Sequence, residues 1–350
     1  MVTRRQALRR GAGVAAALSV GPFLAACASG VAAPAATKTA VAIPSPTPSP
    51  APLETTTIKL SAASCDSAIF GAERFLREEG FTDVQITDAA TGPAFAAGNA
   101  HIGFAFPQAF FNAVENGPKV VLLGGLHPGC VEIWAPQSVT SVKDLKGRSV
   151  TVTAKSLGNL QYSFLAMVLR QAGMDPKDVN FVVQADADPL KLYLEGKSDA
   201  VFASAAGAAA LKANPANKGH VIYSQVMEEP WKSTDCCFVM TSEPWFRANP
   251  IAAKRAMRAI YRTADALPAD RVDAAKAATD KGLFGGAANT ANVKEAANMV
   301  PLDWRTYDVE KAIRFYVPLL ADTGMKSSAD DLLRSVDLKI YKELSTELKR

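Results

Sequence analysis

The chain has 350 residues, 49% hydrophobic and 21% charged, with 38 basic against 34 acidic side chains and a formal charge of +4. That apolar content suffices for a packed core and excludes a disordered or fibrous chain. The whole excess lies in the first 26 residues, which carry Arg4, Arg5, Arg9 and Arg10 and no acid; without them 34 basic side chains face 34 acidic ones, and no basic run remains to neutralise nucleic-acid phosphates.

Those first 26 residues read as an export signal. Behind the arginines runs an uncharged stretch, Gly11 to Ala26, too short for a membrane span. Thr3-Arg4-Arg5-Gln6-Ala7-Leu8 resembles the twin-arginine consensus, and Leu24-Ala25-Ala26-Cys27 resembles a lipobox, which makes Cys27 the lipidated mature N-terminus. Residues 27–56 are dominated by Ala, Pro, Ser and Thr, including Ile43-Pro44-Ser45-Pro46-Thr47-Pro48. They cannot form a core and read as an extended tether.

From residue 57 onward short β-rich runs alternate with helical ones, the pattern of α/β layers around parallel sheets. Thr57 to Leu60 predicts a strand, Ser67 to Glu78 a helix ended by Gly80, and Val84 to Ile86 the next strand. His101 to Ala105 and Val120 to Leu123 read as buried strands around a helix over Gln108 to Glu115. A polar break at Val139 to Arg148 opens a second series: a strand from Ser149 to Thr153, a helix carrying Leu160, Phe164, Leu165, Val168 and Leu169 on one face, and strands at Phe181 to Val183 and Asp199 to Phe202. A helix is expected between these last two, over Leu190 to Glu195. Cys236 to Met240 reads as a returning strand, and from about Glu243 the chain turns helical. Asn249-Pro250 supplies an N-cap and first-turn proline, Pro318 a kink, and Ser328 with Asp331 a capping box.

The stretch Ser141-Val142-Lys143-Asp144-Leu145-Lys146-Gly147-Arg148-Ser149-Val150-Thr151-Val152, with Leu169 to Asp175 and Asp178-Val179 after it, resembles periplasmic substrate-binding proteins of the nitrate, sulfonate, taurine and thiamine-precursor importers. Ala97 to Phe104, Gly196 to Ala200 and Asn249 to Ala266 extend the resemblance. It implies an α/β fold of the bilobal periplasmic-binding-protein type II, two α/β lobes joined by a two-strand hinge that closes around ligand. The lobes would be residues 57–137 with 241–350, and residues 138–240. The implied role is solute capture for an ABC importer by a monomer held on the membrane through its lipid, in the periplasm or at the cell surface, with a permease and its cytoplasmic ATPase as partners. No cofactor is expected, and because the chain has no phosphate-binding Gly-rich loop the ATP chemistry falls to the partner ATPase. Two alternatives share this architecture: an enzyme of the thiamine-pyrimidine-synthase type, and a sensor presenting solute to a receptor.

In open α/β sheets ligands sit beyond the carboxyl ends of the strands, where helix N-termini leave N–H groups free. That rule selects Ser64, Cys65 and Asp66 after the first strand, Phe106 and Gln108 after the strand ending at Ala105, and Lys155, Ser156, Gly158 and Asn159 in the second lobe. Capping competes with ligand binding both for the Lys155–Asn159 turn and for Asp66. Asp235 and Trp231 are expected at the mouth of the cleft, where the crossover returns; Trp134 and Trp245 also flank the crossovers. Cys65, Cys130, Cys236 and Cys237 leave buried thiols, a disulfide or a reactive or metal site open, with buried thiols leading. His127 beside Cys130 supplies only two donors, too few for a zinc site.

Overall fold

A computed structural model describes residues 51–349; the expected signal peptide, Cys27 and most of the expected tether lie outside them. Among the described residues no helix is long and apolar enough to cross a membrane. The strands are β1 (Thr57–Ser61), β2 (Asp83–Thr87), β3 (Ile102–Ala105), β4 (Val120–Pro128), β5 (Val131–Ala135), β6 (Ser149–Val152), β7 (Asn180–Val183), β8 (Val201–Ser204), β9 (His220–Ser224) and β10 (Asp235–Ser242).

The first lobe is built on a five-stranded sheet of order β2-β1-β3-β10-β4. β1 runs parallel to β2 and β3, while β10 is antiparallel to both β3 and β4. The carboxyl ends of β1, β3 and β4 and the amino end of β10 therefore meet at one edge of the sheet, and that edge carries the site. Ile58 and Leu60 of β1 are fully buried, as is the face that helix Pro250–Ala266 presents through Ala253, Ala256, Met257 and Ile260. The helix expected over Ser67 to Glu78 is broken at Gly71-Ala72 into Ser67–Phe70 and Glu73–Glu78.

The second lobe holds the antiparallel sheet β8-β5-β9 and the parallel pair β6-β7. Between them helix Leu160–Gln171 buries Tyr162 through Leu169, and Asn159 caps it by accepting from Tyr162 N. The pairing moves both expected boundaries. β5, placed by sequence in the first lobe, pairs with β8 and β9, whereas all of β10 pairs in the first-lobe sheet. The chain thus leaves at about Gly129 and returns at Asp235. Polarity marked the break at Val139, whereas the outgoing crossover, Pro128-Gly129-Cys130-Val131, carries no polar run.

The folded body also begins earlier than the composition implies. Leu53 packs on the core, and the Glu54 carboxylate accepts from Ile251 N and Ala252 N at 2.9 Å each, capping helix Pro250–Ala266. Asn249, the expected cap, turns away and donates to Trp245 O.

Candidate functional site

Two cavities lie between the lobes. The first, about 360 Å³, is lined by Ser64, Cys65 and Phe106 of the first lobe, by Cys130 of the crossover, and by Leu160 and Ser204–Ala206 of the second lobe. Asp88, Phe284, Asn289 and Asn292 also line it. The second, about 530 Å³, shares Phe106 and Leu160 with the first and adds Gln108, Asn112, Gly158 and Met240. Both volumes suit a small ligand. A larger cavity of about 790 Å³ lies outside the cleft, where Glu79, Lys254, Arg258 and Glu343 are already engaged in ion pairs.

Of the residues chosen from sequence, Ser64, Cys65, Phe106, Gln108 and Gly158 line these cavities. Gln108 is only 2% exposed, and its amide oxygen has no hydrogen-bond partner among the described residues. Lys155 lies 5.9 Å from the Tyr162 and Phe181 rings. Asn159 is the helix cap and donates to Thr153 Oγ1, and Ser156 O accepts from Asn159 N, so this turn serves the helix.

The expectation that Trp231 stands at the mouth is overturned. Its ring is fully buried, within 6.0 Å of Phe164, Tyr223, Phe315 and Tyr316. Asp235 is also misplaced by the sequence reading: it is fully buried against Gly125, and neither carboxylate oxygen has a partner among the described residues. Burial raises its pKa well above the usual carboxylate value, with His127 only partly opposing the shift.

Asp66 does not cap its helix. Oδ2 accepts from Ala63 N at 2.8 Å, and Oδ1 accepts from His127 Nε2 at 3.0 Å. His127 Nδ1 lies 2.6 Å from Pro128 O. Facing two acceptors, the imidazole holds both protons. Burial works against its charge, yet hydrogen bonds with Asp66 and Cys65 outweigh that penalty and hold its pKa at about 10. Burial and the Cys65 sulfur push Asp66 up to about 6, with His127 limiting the rise, so the two form a buried ion pair at neutral pH. Cys65 Sγ lies 3.2 Å from Cys130 Sγ. Hydrogen bonds from Cys130 and Cys237 lower the Cys65 thiol pKa well below its usual value against the effect of burial.

Cys237 reaches this cluster because β10 pairs it with His127, and the register shifts on either side of that pair supply the distortion that separates it from Cys236. Donor atoms of Cys65, Asp66, His127 and Cys237 all lie within 4.8 Å of one another, a set chemically able to hold a metal ion. Sequence reasoning missed this grouping, and nothing in the spacing of 65–66, 127–130 and 237 announces it. It also missed Ser204–Ala206, although Ser204 ends β8 and caps helix Ala205–Ala213, the same strand-end rule that found Ser64.

Two α/β lobes linked by crossing strands, with cavities at the strand ends between them, define the periplasmic-binding-protein fold. The alkanesulfonate-binding protein SsuA from Xanthomonas axonopodis pv. citri bound to MOPS superposes with a TM-score of 0.63 at 17% identity, covering 82% of this chain and 100% of that one. The periplasmic nitrate-binding protein NrtA from Synechocystis PCC 6803 superposes with a TM-score of 0.67 at 14% identity, covering 85% and 90%. No curated protein matches the sequence. The sequence model described as NMT1/THI5 like matches residues 75–274, more than half of the chain, and the chain belongs to that family.

Proposed function

We propose that this protein is the solute-binding component of an ABC importer, exported through its twin-arginine signal, anchored by lipid on Cys27, and delivering to a membrane permease a small solute held between its lobes. The interlobe cavities carry this reading: residues of both lobes face the same space, so a bound molecule would bridge them and favour closure. Its likeness in fold to sulfonate- and nitrate-binding proteins supports the same role.

The lining argues for an uncharged solute of the pyrimidine-like kind. Neither cavity wall includes Lys, Arg or His, and its one acid, Asp88, already accepts from Phe284 N at 2.7 Å. An anion would have helix N-termini, those of Pro107–Asn116, Leu160–Gln171, Ala205–Ala213 and Thr290–Asn298, but no cationic side chain, whereas the Gln108, Asn112, Asn289 and Asn292 amides and the Phe106 ring suit a neutral heterocycle. Thermal shift, calorimetry and small-angle scattering on the mature protein test this across neutral pyrimidines, sulfonates and nitrate. We expect pyrimidines to raise the melting temperature and induce closure, and Gln108→Leu to weaken binding by about tenfold, as loss of one buried hydrogen bond would. Binding of the anions alone would overturn the solute class, and no response from any solute would overturn the binding role.

A further inference from the structure

We infer that Cys65, Asp66, His127 and Cys237 form a binding site for a single divalent cation of the zinc class. Two sulfurs, one imidazole nitrogen and one carboxylate oxygen converge within 4.8 Å from three separate parts of the chain, all of them buried. In a tetrahedral zinc site, bonds of about 2.0 to 2.3 Å place neighbouring donors about 3.3 to 3.8 Å apart. Two of the separations bracket that range, His127 Nε2 to Asp66 Oδ1 at 3.0 Å and Cys65 Sγ to Asp66 Oδ1 at 4.0 Å, and none exceeds 4.8 Å. Small side-chain adjustments admit the ion.

The surroundings suit ligation. A histidine that binds metal through one nitrogen usually donates its other N–H to a carbonyl or carboxylate, which fixes the ring and its tautomer. His127 Nδ1 meets Pro128 O at 2.6 Å, leaving Nε2 turned toward the cluster. Asp66 is oriented in turn by Ala63 N on its other oxygen. On binding, the Cys65 and Cys237 thiol protons and the His127 Nε2 proton leave to solvent, and the cation replaces the imidazolium charge as the partner of Asp66. Thiolate with imidazole and carboxylate favours a borderline ion such as Zn²⁺ over Ca²⁺ or Mg²⁺, which take oxygen ligands. Cys65 and Cys130 line the smaller interlobe cavity, so the ion has a route from the cleft, and the Cys130 thiol, 3.2 Å from Cys65 Sγ, stands along it.

The site goes beyond solute capture and does not require it, so solute binding is measured in parallel on chelator-stripped protein. The mature protein, reduced and stripped, is titrated anaerobically with Zn²⁺ and with Co²⁺. The ion content is measured by mass spectrometry and Co²⁺ absorption is recorded in the thiolate charge-transfer and d–d regions. We expect one ion per chain, bound as a tetrahedral thiolate complex. Cys65→Ser and Cys237→Ser should each remove roughly half of the charge-transfer intensity, one of two thiolates being lost, while Cys130→Ser leaves it unchanged. Asp66→Asn should weaken binding by about tenfold or more with the sulfur band retained. Circular dichroism of each stripped variant separates loss of ligation from loss of fold. Absence of bound ion with all thiols titratable, a Cys65–Cys130 disulfide in the exported protein without metal, or an equal loss of intensity in Cys130→Ser would overturn the assignment.

Discussion

At the scale of single residues, the same side-chain type has opposite fates according to what surrounds it. His127 is held doubly protonated by Asp66 and the Pro128 carbonyl. His101 is held neutral: its ring stacks on Trp245 at 4.7 Å, Nδ1 accepts from Lys59 N, and burial followed by the Lys59 charge lowers its pKa to about 4. The unfolded chain titrates this group near 6.5, so below that pH unfolding takes up a proton that the folded protein refuses. Stability should therefore fall as pH drops from about 6.5 toward 4, and the penalty should level off below 4. Denaturant midpoints at pH 7 and pH 5 check this. In His101→Gln, which can still accept from Lys59 N, the drop should be smaller. An unchanged drop would assign the acid sensitivity to other groups.

At the scale of elements, helix ends are satisfied by whatever acceptor the fold delivers, near or far in sequence. Ser328 with Asp331 forms a capping box, as the local pattern implies, and Asn159 caps its own helix. Helix Pro250–Ala266 instead takes Glu54 from 197 residues away, leaving the adjacent Asn249 to bond Trp245 O. The Ile251 and Ala252 N–H groups hold the Glu54 carboxyl below its usual pKa despite the opposing effect of its modest burial. Glu54→Ala should cost about 1 kcal/mol, the ordinary value of an N-cap, and should detach the segment around Leu53. Thermal melts with limited proteolysis read both effects, and an unchanged melt with the segment still protected would show that Leu53 alone docks it.

At the scale of the whole molecule, the lobes touch through more than their crossing strands. Helix Ala205–Ala213 packs on helix Thr290–Asn298, and helix Val309–Leu319 packs on helix Leu160–Gln171. Beside the latter contact, Arg170 of the second lobe pairs with Asp322 of the first. Both side chains are one-third exposed, where an ion pair contributes about 0 to 1 kcal/mol. A charge reversal, Asp322→Arg, should therefore leave the melting temperature almost unchanged while lowering solute affinity by up to about fivefold, because the pair acts between lobes. An affinity equal to that of the parent protein would mean that the pair persists in the open form.

Much of this is legible in the sequence. Hydrophobic periodicity located most strands and the long helices, and the strand-end rule found Ser64, Cys65, Phe106 and Gln108, because both follow from local backbone geometry and burial of one face. The break at Val139 misplaced the lobe boundary, since β5 and β10 are both buried strands and only strand pairing says to which sheet each belongs. The sequence sets Trp231 at the mouth of the cleft, and packing against Phe164, Tyr223, Phe315 and Tyr316 decided for the core. By itself the sequence determined two α/β halves, the alternation of their elements, and which strand ends bear polar residues, each a matter of neighbours within a few positions. Only the tertiary structure decided that Cys65, Asp66, His127, Cys130 and Cys237 meet. That meeting depends on β10 running antiparallel into the sheet so that its amino end joins the carboxyl ends of β1 and β4, and no local pattern encodes it.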